Sequence, residues 1–135
     1  MPDVPCVNLC NEMVEPQDFK NLNQIKVVCD AKGNALYMSR QPIPTGWQPG
    51  KGRALRQLGM VAFQRWFLDT FWKLPATPLE RAESLDMLRA IEHGYPVRML
   101  VTRFESFGVD TPDDLKVAEA RLAADPLARR YLFRE

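Results

Sequence analysis

Asp110 stands in the stretch "FESFGVDTPDDL", one residue ahead of a Thr-Pro-Asp-Asp helix start. Thr111 is placed to cap that helix, Pro112 to be its first residue and Asp114 its acidic third, so the capping chemistry is complete without Asp110. A carboxylate between the C-terminal side of a strand and a helix N-terminus lies on the edge where open α/β sheets bind ligands. A redundant acidic charge serving the helix dipole is an equally good account of the residues alone. Both readings stay open at this point.

Glu83, Asp86 and Arg89 recur at intervals of three and on a helix would share one stripe. Neighbouring carboxylates on one face can hold the hydroxyls of a sugar, while a solvated stripe with an Asp86–Arg89 pair is the plainer alternative. Arg40 ends the run "LYMSR" just before a loop, where a guanidinium can fork onto a carboxylate or phosphate. "GWQPGKGR" superficially suggests a phosphate cradle. A P-loop needs four residues between its glycines and a Ser or Thr after the lysine; here three separate Gly46 from Gly50, and Gly52 follows Lys51. That motif is rejected. His93 precedes Gly94 at a helix C-terminus, where the dipole favours imidazole, and no chemistry is assigned to it.

The elements that must position these residues follow from patterning. "VPCVNL" and "QIKVVCD" are β-branched runs suited to strands, and the second passes through "AKGN" into "ALYMSR", a hairpin signature. Gln41 to Arg53 holds three prolines and three glycines in thirteen residues, which predicts a long irregular loop of functional or interface character. It would present Ile43 and Trp47 beside the hairpin. "LRQLGMVAF" is extended and "QRWFLDTFWKL" is helical in its spacing. One long helix is expected from Pro78 to His93, capped by Thr77, ended by Gly94 and buried through Leu85, Leu88 and Ile91. "PVRMLVTRF" reads as a buried strand, followed by a helix from Pro112 to Ala124 and a short terminal one in "DPLARRYLF". Strands alternating with helices in the second half favour an α/β layer with a partly parallel sheet.

At 135 residues the chain amounts to one domain. A formal charge of +1, with scattered Lys and Arg, supplies no basic field, so nucleic acid is not an expected partner. No apolar stretch reaches the ~18 residues of a membrane span, and the start lacks an export signature, so no membrane partner and a cytoplasmic location are expected. Cys6, Cys10 and Cys29 are an odd set whose spacing fits no usual zinc pattern, which argues for reduced, packed thiols.

Three segments carry a resemblance. "NALYMSRQPIP" (34–44), "LPATPLERAESLDMLRAIEHGYPVRM" (74–99) and "GVDTPDDL" (108–115) occur in the order and spacing of the CMP-KDO synthetases, the 3-deoxy-manno-octulosonate cytidylyltransferases. The resemblance implies the C-terminal half of a Rossmann-like nucleotidyltransferase α/β fold with a β-hairpin dimerisation element, and hence a homodimer. It also implies that the N-terminal CTP-binding half is absent, making this the sugar-acid-binding half of an enzyme that is incomplete in this chain. A non-catalytic interaction module of the same fold is the alternative.

By the same resemblance Asp110 matches a catalytic carboxylate that binds magnesium, and Arg40 an arginine beside the sugar acid. Gln57 falls where many members have a histidine in the sugar pocket. Glu83 and Asp86 match acidic positions of the sugar-binding helix, while Met87 departs from a frequent glutamine. The implied partners are CTP and a 3-deoxy-2-keto sugar acid, with Mg2+ as cofactor. The sugar hydroxyl attacks the α-phosphorus of CTP and pyrophosphate leaves, so positioning two anions and neutralising charge are the main tasks.

Overall fold

The computed structural model describes residues 4–104, 108–109 and 111–132. The described part up to Phe104 is one compact unit. Its elements are β1 (Cys6–Glu12), α1 (Pro16–Lys20), β2 (Lys26–Cys29), β3 (Ala35–Ser39), β4 (Leu55–Phe63), α2 (Arg65–Phe71), α3 (Pro78–Glu83), α4 (Met87–Glu92) and β5 (Val97–Val101). The strands form one sheet in the order β3-β2-β4-β1-β5. β1 and β5 run parallel, and the β2–β3, β2–β4 and β1–β4 pairs are antiparallel. The expected α/β architecture with a partly parallel sheet is what forms.

The β2–β3 hairpin turns where "AKGN" predicts it. Asp30 Oδ1 accepts the backbone N–H of Lys32 and of Asn34, both at 2.8 Å, and Gly33 supplies the positive φ of 82° that closes the turn. The hairpin tip then docks on β5: Met99 N donates to Gly33 O at 2.8 Å and Arg98 Nε to Asn34 Oδ1 at 2.8 Å.

The core lies between the sheet and the helices, with Cys6, Cys10, Met38, Phe67, Leu88 and Val97 at its centre. Phe67 is fully buried and its ring meets those of Tyr95 at 4.8 Å and Phe71 at 5.9 Å. An aromatic group of this size contributes about 1.5–3 kcal/mol by burial, and such ring pairs add to it.

Four expectations change. The helix foreseen from Pro78 to His93 is two, broken at Ser84, which takes a left-handed conformation (φ 55°, ψ 47°). β5 is buried only in its first half, since Leu100 and Val101 are exposed. The loop from Gln41 to Arg53 is irregular as expected, but it does not present Trp47: the indole is half-buried, packs on Phe19 with centroids 4.9 Å apart, and donates Nε1–H to Gly52 O at 3.2 Å. Phe19 comes from α1, a five-residue helix that the patterning did not predict.

α5 (Pro112–Ala124) and α6 (Pro126–Leu132) belong to a second unit. α5 begins as foreseen, with Asp114 N donating to Thr111 Oγ1 at 3.2 Å and Thr111 N donating to Asp114 Oδ2 at 2.9 Å. No described helix is long and apolar enough to cross a membrane.

Candidate functional site

A fault in the sheet builds one wall of the site. Asn8 pairs with Val61 and Cys10 with Gln57, so β4 advances twice as far as β1 over this step and bulges around Leu58, Gly59 and Met60. Asn8 is fully buried opposite the bulge and donates from Nδ2 to Leu58 O at 2.7 Å and Met60 O at 3.0 Å. A buried carbonyl displaced from a ladder, as that of Leu58 is, needs such a donor. Because Nδ2 is committed to carbonyls, Asn8 Oδ1 must be the acceptor of its other bond, and Gln57 Nε2 donates to it at 2.6 Å. Gln57 Oε1 is thereby left buried with no hydrogen-bond donor.

The opposite wall is the α3–α4 junction. Thr77 stands at the N-cap of α3, its backbone N–H donating to Glu80 Oε2 at 3.1 Å while its buried Oγ1 has no hydrogen-bond partner, and Pro78 takes the first position as foreseen. Glu80 then reaches past the break at Ser84 to Arg89, Nε of which donates to Glu80 Oε2 at 2.8 Å while Nη2 pairs with Oε1. The guanidinium also lies over the Phe71 ring, 5.0 Å from its centroid. The Arg89 hydrogen bonds hold the Glu80 carboxyl below the ordinary carboxylate range. The close ion pair of Arg89 is therefore with Glu80 and not with Asp86, whose side chain makes no hydrogen bond or close ion pair among the described residues and acts on Arg89 only as a more distant charge.

Between these walls lies a cleft of about 590 Å³ whose lining includes Gln57, Gly59, Arg81, Ser84 and Asp86. Two of the five site residues expected from the sequence thus meet on one cavity. Its lining carries an exposed carboxylate with no hydrogen-bond donor on it and an amide whose unpaired acceptor is buried behind the surface, groups of the type that receive hydroxyl donors.

Arg40 and Glu83 are joined to each other and do not line this cleft. Glu83 Oε1 accepts from Ser39 Oγ at 2.6 Å and Tyr37 Oη at 3.0 Å, and Oε2 accepts the Arg40 N–H at 2.9 Å. Burial alone would push the Glu83 carboxyl up, but these donors and the Arg40 charge outweigh it and the group titrates below its usual range. Arg40 Nε donates to Glu83 O at 3.1 Å, and that peptide leads directly into Ser84 on the cleft wall. Asp110 lies outside the described residues.

Two participants were not foreseen from the sequence. Asn8 interrupts an apolar run with a polar side chain, which is the available signal. Arg81, exposed on the cleft lining, had none. Cys6 and Cys10 are buried and Cys29 half-buried, all as free thiols, and no group of three or more His, Cys, Asp or Glu side chains among the described residues is placed to hold a metal ion.

Comparison with known proteins gives this geometry a family. The Cytidylyltransferase family pattern matches residues 4–103. The chain is 42% identical over 114 residues to the 8-amino-3,8-dideoxy-manno-octulosonate cytidylyltransferase of Shewanella sediminis (strain HAW-EB3), covering 84% of this chain and 46% of that protein. It is 40% identical over 130 residues to the 3-deoxy-manno-octulosonate cytidylyltransferase of Syntrophotalea carbinolica (strain DSM 2380 / NBRC 103641 / GraBd1), covering 90% and 52% respectively. A solved CMP:2-keto-3-deoxy-manno-octonic acid synthetase complexed with CTP superposes with a TM-score of 0.82 at 33% identity, over 91% of this chain and 51% of that one. The chain spans about half the length of the relatives it matches. With the expected fold class met and the family pattern running from the start of β1 through β5, this chain belongs to the cytidylyltransferase family and is of the CMP-KDO synthetase type.

Proposed function

We propose that this chain supplies the sugar-acid site for transfer of CMP from CTP to a 3-deoxy-2-keto sugar acid. The observation that carries the reading is the convergence of Gln57 and Asp86 on one cleft, each with acceptor capacity that no group of the described chain uses. Asp86 receives sugar hydroxyls, the Gln57 amide receives a further donor on turning its buried Oε1 toward the cleft, and Arg40, linked to the cleft wall through Glu83, orients the sugar's carboxylate. Holding the sugar at several points fixes the attacking hydroxyl for in-line approach to the α-phosphorus of CTP, and that proximity is the contribution asked of this chain.

Acceptors of this kind suit a hydroxyl or an ammonium, so 3-deoxy-manno-octulosonate and its 8-amino-8-deoxy counterpart, the sugars named for the relatives, are the two probes of choice. A homodimer working in the cytoplasm completes the reading. Magnesium enters it through Asp110. Among the described residues no group of three or more His, Cys, Asp or Glu side chains is placed to hold the ion.

Isothermal titration of the 135-residue chain with each sugar acid is the test. Binding that Asp86→Ala and Gln57→Leu each weaken by about tenfold supports the assignment. Binding indifferent to both substitutions, or absent for both sugars, rejects it. Titration of Mg2+ into wild type and Asp110→Asn tests the metal part separately.

A further inference from the structure

Lys26 is the one charged side chain fully buried among the described residues. Its ammonium has three donors and no acceptor. They go to three backbone carbonyls: Asn21 O at 2.8 Å, Gln24 O at 2.6 Å and Arg40 O. The first two lie in the turn that leads into β2, and the third directly follows β3 at the mouth of the long loop. A buried cation is tolerated only when its donors are all used, and this one is satisfied without a carboxylate in direct contact.

The N–H on the other side of the same residue, in the preceding peptide, is held by Glu83. Arg40 N donates to Glu83 Oε2 at 2.9 Å, while Tyr37 and Ser39, the preceding residues of β3, occupy Oε1. Arg40 is therefore gripped at its N–H by a carboxylate from α3 and at its C=O by an ammonium from β2. Its side chain is fixed along one flank only, by Nε to Glu83 O at 3.1 Å and a longer contact of Nη1 to Leu22 O at 3.4 Å. Nη2 has no partner among the described residues. A guanidinium with a fixed backbone, one anchored flank and one open flank is arranged to receive a planar anion with little further ordering.

We propose that Lys26 and Glu83 are positioning residues that hold Arg40 with its Nη2 flank open for the carboxylate of the sugar acid. This rests on the reading of Arg40 given above and reassigns Glu83: with its oxygens occupied by Tyr37, Ser39 and Arg40, its carboxylate acts through the arginine and not on sugar hydroxyls.

The test compares the sugar acid with its uncharged C1 methyl ester, titrated into the full 135-residue chain as wild type, Arg40→Met, Glu83→Gln and Lys26→Met. Wild type is expected to prefer the acid by about tenfold, the scale of one charge-assisted pair, and Arg40→Met to lose that preference. Glu83→Gln is expected to lose most of it too, while binding the ester within about twofold of wild type. Lys26→Met follows the same pattern if it folds, and Glu83→Gln carries the test if it does not. Equal weakening of acid and ester in Glu83→Gln, or an undiminished preference, overturns the proposal.

Amide NMR of the free protein separates this from failure of the functional reading. If wild type shows no preference for the acid, Arg40 is not the carboxylate receptor, and the proposed role of its clamp falls with it. An Arg40 N–H that loses its hydrogen-bonded shift and exchange protection in Glu83→Gln supports the clamp. One that is unchanged overturns it, whatever the ligand does.

Discussion

Gln57 Nε2 donates to Asn8 Oδ1 at 2.6 Å, while the same Asn8 amide donates to the carbonyls of Leu58 and Met60. One buried asparagine thus both closes the bulge of β4 and sets which end of the Gln57 amide stays unpaired. Asn8→Leu strands the buried Leu58 carbonyl, at about 1–3 kcal/mol, and the part-buried Met60 carbonyl, which water can partly satisfy at about 1 kcal/mol, so a total loss of about 2–4 kcal/mol is expected. Gln57→Leu removes one unpaired acceptor but also the donor to the buried Asn8 Oδ1, so a smaller loss of about 1–2 kcal/mol is expected. Urea unfolding at pH 7 reads both, and equal losses for the two variants would show that the bulge does not depend on Asn8.

Arg89 is bound to Glu80 with side-chain exposures of 21% and 12%, so this pair is shielded enough to matter. Arg89→Met should destabilise by about 2–4 kcal/mol, because it leaves Glu80 charged without its main partner. The pH dependence has a definite sign. Glu80 and Glu83 both titrate below their ordinary range in the folded chain, so the unfolded chain takes up protons first as pH falls. Their stabilisation is complete above the unfolded carboxylate value of about 4.3 and is lost as pH drops through the lower folded values. The gap in unfolding free energy between wild type and Glu80→Gln should be full at pH 7 and shrink steadily below pH 4. A gap independent of pH would reject the ionic origin.

The break at Ser84 gives a prediction of opposite sign. A serine at φ 55° carries a backbone cost that glycine escapes, so Ser84→Gly should stabilise by up to about 1 kcal/mol, whereas the β-branched Ser84→Val should destabilise by more. Thermal unfolding distinguishes the two directions. Stabilisation by valine would mean that residues 78–93 run as one helix in solution.

That break also marks the limit of what the chain discloses by itself. The hairpin at Asp30–Gly33, the irregular loop, the strands β4 and β5 and the capped start of α5 all follow from local chemistry: Asx turns, proline and glycine density, alternation and caps. Nothing local announces Ser84, since "ERAESLDMLRA" has the composition of a continuous helix. The break is sustained by bonds between distant residues, Glu83 to Tyr37, Ser39 and Arg40, with Leu85, Met87 and Leu88 turned into the core. Resemblance placed Gln57 and Asp86 in one pocket. It could not show that Glu83 is spent on β3, because three donors from another strand leave no trace in the spacing of acidic residues.

The thiols offer a check on the packing of β1. Burial pushes Cys6 and Cys10 up to about 11, and raises Cys29 as well. At pH 8 a thiol of that kind is about 0.1% thiolate, the form that reacts. Cys29, at the end of β2, is half-buried, whereas Cys6 and Cys10 are sealed between the sheet and the helices. Iodoacetamide at pH 8 should therefore label Cys29 first and reach Cys6 and Cys10 only in urea, with peptide mapping as the readout. Simultaneous labelling of all three in the native chain would mean that β1 opens on the timescale of the reaction, and the wall holding Asn8 and Gln57 would then have to form on ligand binding.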